Sequence, residues 1–172
     1  MAHATKRARL GRHVLTLALE IRSQYFGFAV LEGVAQLLDW GVKRYPAAFD
    51  LGPTVFGEKI ASLLNRYRPD VVIARKRGRG LRPEREARLW QTIHSEASRR
   101  AIDARAVSAA AVQSFFAAYG CNSKEQVSAM LADWFEELAW RLPARRKVWQ
   151  HERRSGPVFD AIATAMTFLG SG

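Results

Sequence analysis

The residues with the plainest chemistry are cationic, and they cluster. Arg75, Lys76, Arg77, Arg79, Arg82, Arg85 and Arg88 crowd one central stretch, with Gly78 and Gly80 between them. Lys6, Arg7, Arg9 and Arg12 stand near the start, and Arg145, Arg146, Lys147, Arg153 and Arg154 near the end. An Arg/Gly stretch lets guanidinium groups and bare backbone approach a phosphate chain closely. The excess is also global: 27 Lys and Arg against 16 Asp and Glu, a formal net charge of +11. Such a charge attracts phosphate polymers and speeds their encounter, at a cost in self-repulsion. The alternatives are a solvated basic surface or an acidic protein partner. Other reactive side chains form no pattern. His3, His13 and His94 lack metal-ligand spacing, His151 reads as a surface histidine, and Cys121 has no thiol partner or nearby base in sequence. Gly78-Arg79-Gly80 is too short for a phosphate-cradling P-loop and lacks its Lys-Ser/Thr ending.

Something must hold these cations in place, and the chain is long enough to do so. Its 172 residues suit one domain, which at this size buries roughly 70% of its unfolded surface. Hydrophobic residues at 48% and charged residues at 25% are ordinary for a globular protein. One cysteine excludes an internal disulfide framework and fits a reducing compartment. No apolar run approaches the 18 or more residues of a membrane span. The basic residues 1–12 lack the following apolar region of a signal peptide. The expectation is a cytoplasmic protein without a membrane segment: a basic tail over 1–12 and one domain over 13–172.

Apolar periodicity supplies the elements. Residues 13–20 (HVLTLALE) form a β-rich run ending in a carboxylate, followed by 24–32 (QYFGFAVLE) and 34–44 (VAQLLDWGVKR). The short connections, one through Gly33, predict an antiparallel meander. Thr54 is placed to cap a helix through Tyr67, with Val55, Ile60, Leu63, Leu64 and Tyr67 at helical spacing. Residues 70–74 (DVVIA) read as a buried parallel strand, and 75–80 as a flexible Arg/Gly loop. Pro83 opens a helix to Arg100 with Leu89, Ile93 and Ala97 inward, and 101–107 make a fifth strand. A short helix over 109–119 stops at Gly120. Ser123 with Gln126 three residues on is a capping-box pattern, opening a helix that Pro143 ends. Pro157 starts the last helix, with Val158, Ile162, Ala165, Met166 and Leu169. The order predicts an α/β fold: a mixed five-stranded sheet, three strands antiparallel and the rest parallel, flanked by helices.

Four local strings, in order, resemble the RuvC-like Holliday-junction resolvases of the RNase H-like superfamily. Glu20 through Gly27 to Val30 has the family's spacing from first-strand acid to glycine. Pro69-Asp70-Val-Val-Ile is similar to its Pro-Asp strand. Ser123-Lys-Glu-Gln-Val127 resembles its Ser/Asp-Lys-Glu-Gln-Val segment, and Asp160-Ala-Ile-Ala-Thr-Ala-Met-Thr167 its closing helix. The likeness covers roughly residues 13–170. It implies an RNase H-like fold, DNA before RNA as partner, branched structures as targets, and a two-fold homodimer able to meet two symmetry-related strands.

The resemblance also implies a two-metal nuclease, in which carboxylates hold paired Mg²⁺ or Mn²⁺. Four acids would be needed, and this chain departs at two of them. Glu20 and Asp160 align with acids; the other positions carry Arg75, a cation that repels metal, and Pro157. Arg75 is expected to pair with Glu20 or Asp160. Asp70 belongs at the wrong end of its strand, Glu84 and Glu86 lie beyond the loop, and His151 and Glu152 precede the last helix. The leading expectation is a nucleic-acid-binding protein with a degenerate metal site, in which Arg75, Lys76, Arg77, Arg79 and Arg82 contact phosphates. The alternatives are an active Mg²⁺- or Mn²⁺-dependent endonuclease built on Glu20 and Asp160, and a non-catalytic assembly protein that binds RNA or an acidic partner. Trp90 and Trp149, beside basic residues, could stack on unpaired bases. Trp134, Phe135 and Trp140 fit a core or a dimer face.

Overall fold

In the computed structural model, residues 13–48, 50–76, 81–141 and 156–171 are described. Strand β1 (Leu15–Ile21) lies at the centre of a five-stranded sheet of order β3-β2-β1-β4-β5. It pairs antiparallel with β2 (Tyr25–Glu32), which pairs antiparallel with β3 (Gln36–Arg44). On its other side β1 runs parallel to β4 (Val71–Lys76), and β4 parallel to β5 (Asp103–Ser108). Parallel strands need crossovers, so helices fall on both faces.

The period-two alternation of strand side chains divides the core. Leu17, Leu19, Phe26, Phe28, Val30, Val72 and Ala74 face α1 (Leu51–Tyr67) and α2 (Pro83–Ser98), packing on Phe56, Ile60, Leu64, Leu89 and Ile93. Each such buried Leu, Ile or Phe contributes about 1.5–3 kcal/mol. The opposite face presents Ala18, Ala29, Leu31 and Ile73 to α5 (Gly156–Gly170), flanked by Phe116 of α3 (Ala109–Ala117) and Leu131 of α4 (Lys124–Trp134). The small Ala18 and Ala29 leave room for α5 to sit low on the sheet, and every residue from Gly156 to Thr167 is buried. A helix sunk this deep must be apolar all round. Its sequence carries one charge, Asp160, which therefore needs partners.

Pairing directions and fold class match the sequence expectation. Several boundaries shift: β3 starts at Gln36 rather than residue 34, α2 ends at Ser98 rather than Arg100, and β5 runs Asp103–Ser108 rather than 101–107, Ala101 before it taking a φ of 55°. Three further differences bear on the site and the core. α1 begins at Leu51 rather than Thr54, because Pro53 lies in the first turn, where a missing N–H costs nothing. β4 continues through Arg75 and Lys76, which pair with Val107 and Ser108, so these two cations stand on a strand and not in a loop. The helix opened at Ser123 ends at Trp134 and passes into a 3₁₀ turn, Glu136–Arg141. Phe135 and Leu138 drop into the core there, three residues apart and so on one side of the turn. Among the described residues, no helix is long and apolar enough to cross a membrane.

Candidate functional site

Alternation along β1 places Ala18 and Glu20 on the α5 side of the sheet, and along β4 it places Ile73 and Arg75 there too, while Arg22, just past the end of β1, reaches the same space. Both strands run toward the same end, so Glu20 and Arg75 become neighbours. Asp160 projects from the second turn of α5 into the same space. Its helix sits close because Gly27 has no side chain: a Cβ there would lie 2.7 Å from the Pro157 Cβ and nearer still to its carbonyl group. Pro157, standing where the resemblance implies an acid, thus acts as a packing residue over β2.

Two carboxylates and three cations meet at this point. The Arg75 Nη2 donates to Glu20 Oε1 at 2.6 Å and lies 3.8 Å from Asp160 Oδ2. Arg22 bridges the acids, donating from Nη1 to Glu20 Oε1 and from Nη2 to Asp160 Oδ2 at 2.8 Å. Lys124 Nζ, at the start of α4, donates to Asp160 Oδ2 at 2.8 Å. Its position is fixed by the capping box of Ser123 and Gln126. Glu20 is 0% exposed and Arg22 4%, so the cluster is a buried ion network whose outer members are Arg75 and Lys124. Burial pushes the Glu20 carboxyl above its ordinary value, against the opposing pull of Arg22 and Arg75. With both acids ionised the formal charge of the five groups is +1.

Paired Mg²⁺ or Mn²⁺ would require several oxygen ligands converging in near-octahedral geometry. This donor set does not fit them. Oε1 of Glu20 and Oδ2 of Asp160 are taken up by the nitrogen donors of Arg22, Arg75 and Lys124. Among the described residues, no group of three or more His, Cys, Asp or Glu is placed to hold a metal. Asp70 accepts from the Leu15 N–H at 2.9 Å, at the opposite end of β1 from Glu20. Glu84 and Glu86 lie in the first turn of α2. His151, Glu152 and Trp149 lie outside the described residues, as do Arg77 and Arg79.

Of the expected contacts, Arg75 is part-buried in the cluster, while Lys76 and Arg82 are exposed on either side of residues 77–80. Lys43 and Arg44 at the end of β3 share this edge, since Val42 pairs with Gly27 and Gly27 with Glu20. Trp90 packs part-buried against the α1–α2 core, its ring 5.3 Å from that of His94. Trp134 stacks on Phe116 at 6.1 Å. Sequence reasoning missed Arg22 and the role of Lys124. The signal for Arg22 was present: two residues beyond Glu20, it must share that acid's face if the strand continues.

The sequence matches no protein-family model and no curated protein. Its fold does have solved counterparts. RuvC of Thermus thermophilus superposes with a TM-score of 0.69 at 16% identity, over 89% of this chain and 92% of that one. The same protein in complex with a Holliday junction substrate gives 0.67. The yeast mitochondrial Holliday junction resolvase Ydc2 gives 0.67 at 13% identity, over 95% of this chain and 80% of the other. The fowlpox virus resolvase gives 0.53 at 13% identity, over 92% and 99%. Sheet order, crossovers and the buried closing helix together give this chain an RNase H-like fold, the one it shares with these structures.

Proposed function

We propose that this protein binds branched or otherwise structured DNA through the basic edge of its sheet, with the ion cluster replacing a metal centre. The observation that carries this reading is the 2.6 Å contact of Arg75 with Glu20. A guanidinium there supplies positive charge where divalent ions would otherwise sit, so phosphates are attracted without a hydroxide being generated. The net charge of +11 and the resolvase-type fold favour a polyanion, and solved resolvases of this fold are seen on Holliday junctions. Lys76 and Arg82, with Arg77 and Arg79 of the intervening stretch, contact phosphates in this reading. Partnering as a two-fold dimer follows by analogy alone.

The test is binding and cleavage of labelled four-way and duplex DNA, with and without Mg²⁺ or Mn²⁺, using Asp160→Asn as control. Junction binding without cleavage is expected. Replacing Arg75 and Arg77 by Glu should weaken binding sharply and flatten its salt dependence. Unchanged affinity in a gel-shift titration would remove those residues from the interface. A second reading, an active nuclease built on Glu20 and Asp160, is favoured by one atom: Glu20 Oε2 is buried without a hydrogen-bond partner. Metal-dependent cleavage abolished by Asp160→Asn would establish that reading instead.

A further inference from the structure

Arg85, on the third residue of α2, makes contacts unlike those of the other cations. Its Nη1 donates to the Ala47 carbonyl at 2.8 Å, and its Nη2 to the carbonyls of Pro46 at 3.0 Å and Ser23 at 3.1 Å. Its guanidinium lies 5.5 Å from the ring centre of Tyr45. The Tyr45 hydroxyl in turn donates to the carbonyl of Arg22, and the Tyr45 N–H to that of Gln24 at 2.9 Å. Among the described residues no carboxylate pairs with Arg85, and its Nε is buried without a partner. A charge held only by carbonyl dipoles and a ring face leaves its positive field on the site's rim.

The geometry joins three segments that are distant in sequence. Ser23 belongs to the β1–β2 turn that carries Arg22, Pro46 and Ala47 to the chain entering α1, and Arg85 to the start of α2 just beyond Arg82. The packing is tight: a Cβ on Gly52 would lie 2.8 Å from Arg85 Nη2. Tyr45 is buried against Phe26 and Phe56, at 6.3 and 5.1 Å between ring centres, so the link ends in the core.

We infer that Arg85 is a positioning residue for nucleic-acid binding, holding the Arg22-bearing turn and the Arg82 end of the basic stretch in one frame. This rests on the DNA-binding reading above. The two terminal nitrogens of the fork divide the three carbonyls between them, a spread that the single ammonium nitrogen of lysine should not reproduce.

The test compares Arg85→Met, Arg85→Lys and Arg82→Met with the parent protein on a labelled four-way junction across a salt series. Both Arg85 variants should lose about tenfold in affinity with the salt slope unchanged, because no phosphate contact goes. Arg82→Met should lower the slope by about one. An Arg85→Lys variant as tight as the parent, or a slope lowered by Arg85→Met, would overturn the inference in favour of direct phosphate contact. Amide hydrogen exchange on the free Arg85→Met protein needs no DNA. Faster exchange by about tenfold at Arg22, Tyr45 and Gly52, with the β1 core unchanged, is expected. Unchanged exchange there refutes the staple even if the parent proves to bind no DNA, an outcome that would separately sink the functional reading.

Discussion

Replacing Arg22 by methionine should be among the most damaging single changes in the molecule. The side chain is 5% exposed and donates to both Glu20 and Asp160, so its loss leaves a fully buried Glu20 carboxylate with Arg75 as its remaining charge partner among the described contacts. Removing one member of a buried pair costs about 3–5 kcal/mol, mostly through the stranded charge. For 172 residues the unfolding entropy is roughly 0.36 kcal/mol/K, so a loss near 4 kcal/mol lowers Tm by about 11 °C. The effect has a pH signature. Burial already raises the Glu20 pKa, and removing Arg22 takes away a group that lowers it. A carboxyl whose folded pKa exceeds its unfolded value favours the fold at acid pH, and that contribution is lost as pH rises through the folded value. The Tm gap between variant and parent should therefore widen from pH 5 to pH 8. Adding Glu20→Gln should recover at least half of it, since no buried charge is then stranded. Thermal unfolding by circular dichroism at the two pH values decides the matter. A gap under about 3 °C that ignores pH would mean the acids are not a buried, mutually dependent network.

Arg75→Glu puts a third carboxylate beside Glu20 and Asp160. Mn²⁺ at ten times its dissociation constant should then stabilise the variant by about 1.4 kcal/mol in a thermal-shift assay, with no such gain in the parent; equal shifts in both would contradict the charge-replacement argument. Gly27→Ala forces a methyl against Pro157 and should cost about 1–3 kcal/mol, read as a lower urea midpoint at unchanged slope, while an unchanged midpoint would show that α5 can move off the sheet freely. Burial pushes the Tyr45 hydroxyl up to about 12, and burial with the Asp39 contact also raises Tyr67, so ultraviolet titration should find a tyrosine ionising well above pH 10 that Tyr45→Phe removes. Because its folded pKa is the higher, Tyr45 favours the fold below pH 10 and that contribution is lost as pH rises toward 12; a lack of any late-titrating tyrosine would refute its packing against Phe26 and Phe56.

Most of the fold was legible because burial writes itself into periodicity. The apolar runs in residues 15–21 and 25–32, the all-apolar 71–74, and the stripe of α2 each followed directly from the faces they cover. The break after Trp134 was not legible. Glu136 and Glu137 are good helix formers with no glycine or proline beside them, so no local residue signals the passage from α-helix to 3₁₀ turn. In the site, the pairing of Arg75 with Glu20 could be anticipated from adjacent parallel strands. Lys124 could not, because its approach to Asp160 depends on how α4 lies against α5, which capping residues alone do not specify. Arg85 was read as one more cation in a basic run; its three carbonyl partners come from segments 38 to 62 residues away in sequence.

The depth at which α5 is sunk also sets an order of events during synthesis. Strands β1 to β4 are complete once Lys76 has been made, yet the helix that covers Ala18, Ala29, Leu31 and Ile73 begins at Gly156. The ribosome must add about 80 residues in between, which takes roughly 4 to 16 s at ordinary translation rates. For that interval one apolar face of the nascent sheet lacks its cover, and the buried acid of β1 lacks the helix that brings Asp160 to share Arg22. A sheet that closes last on its most central helix is exposed to chaperones, or to its own copies on neighbouring ribosomes, for longer than its finished stability would suggest.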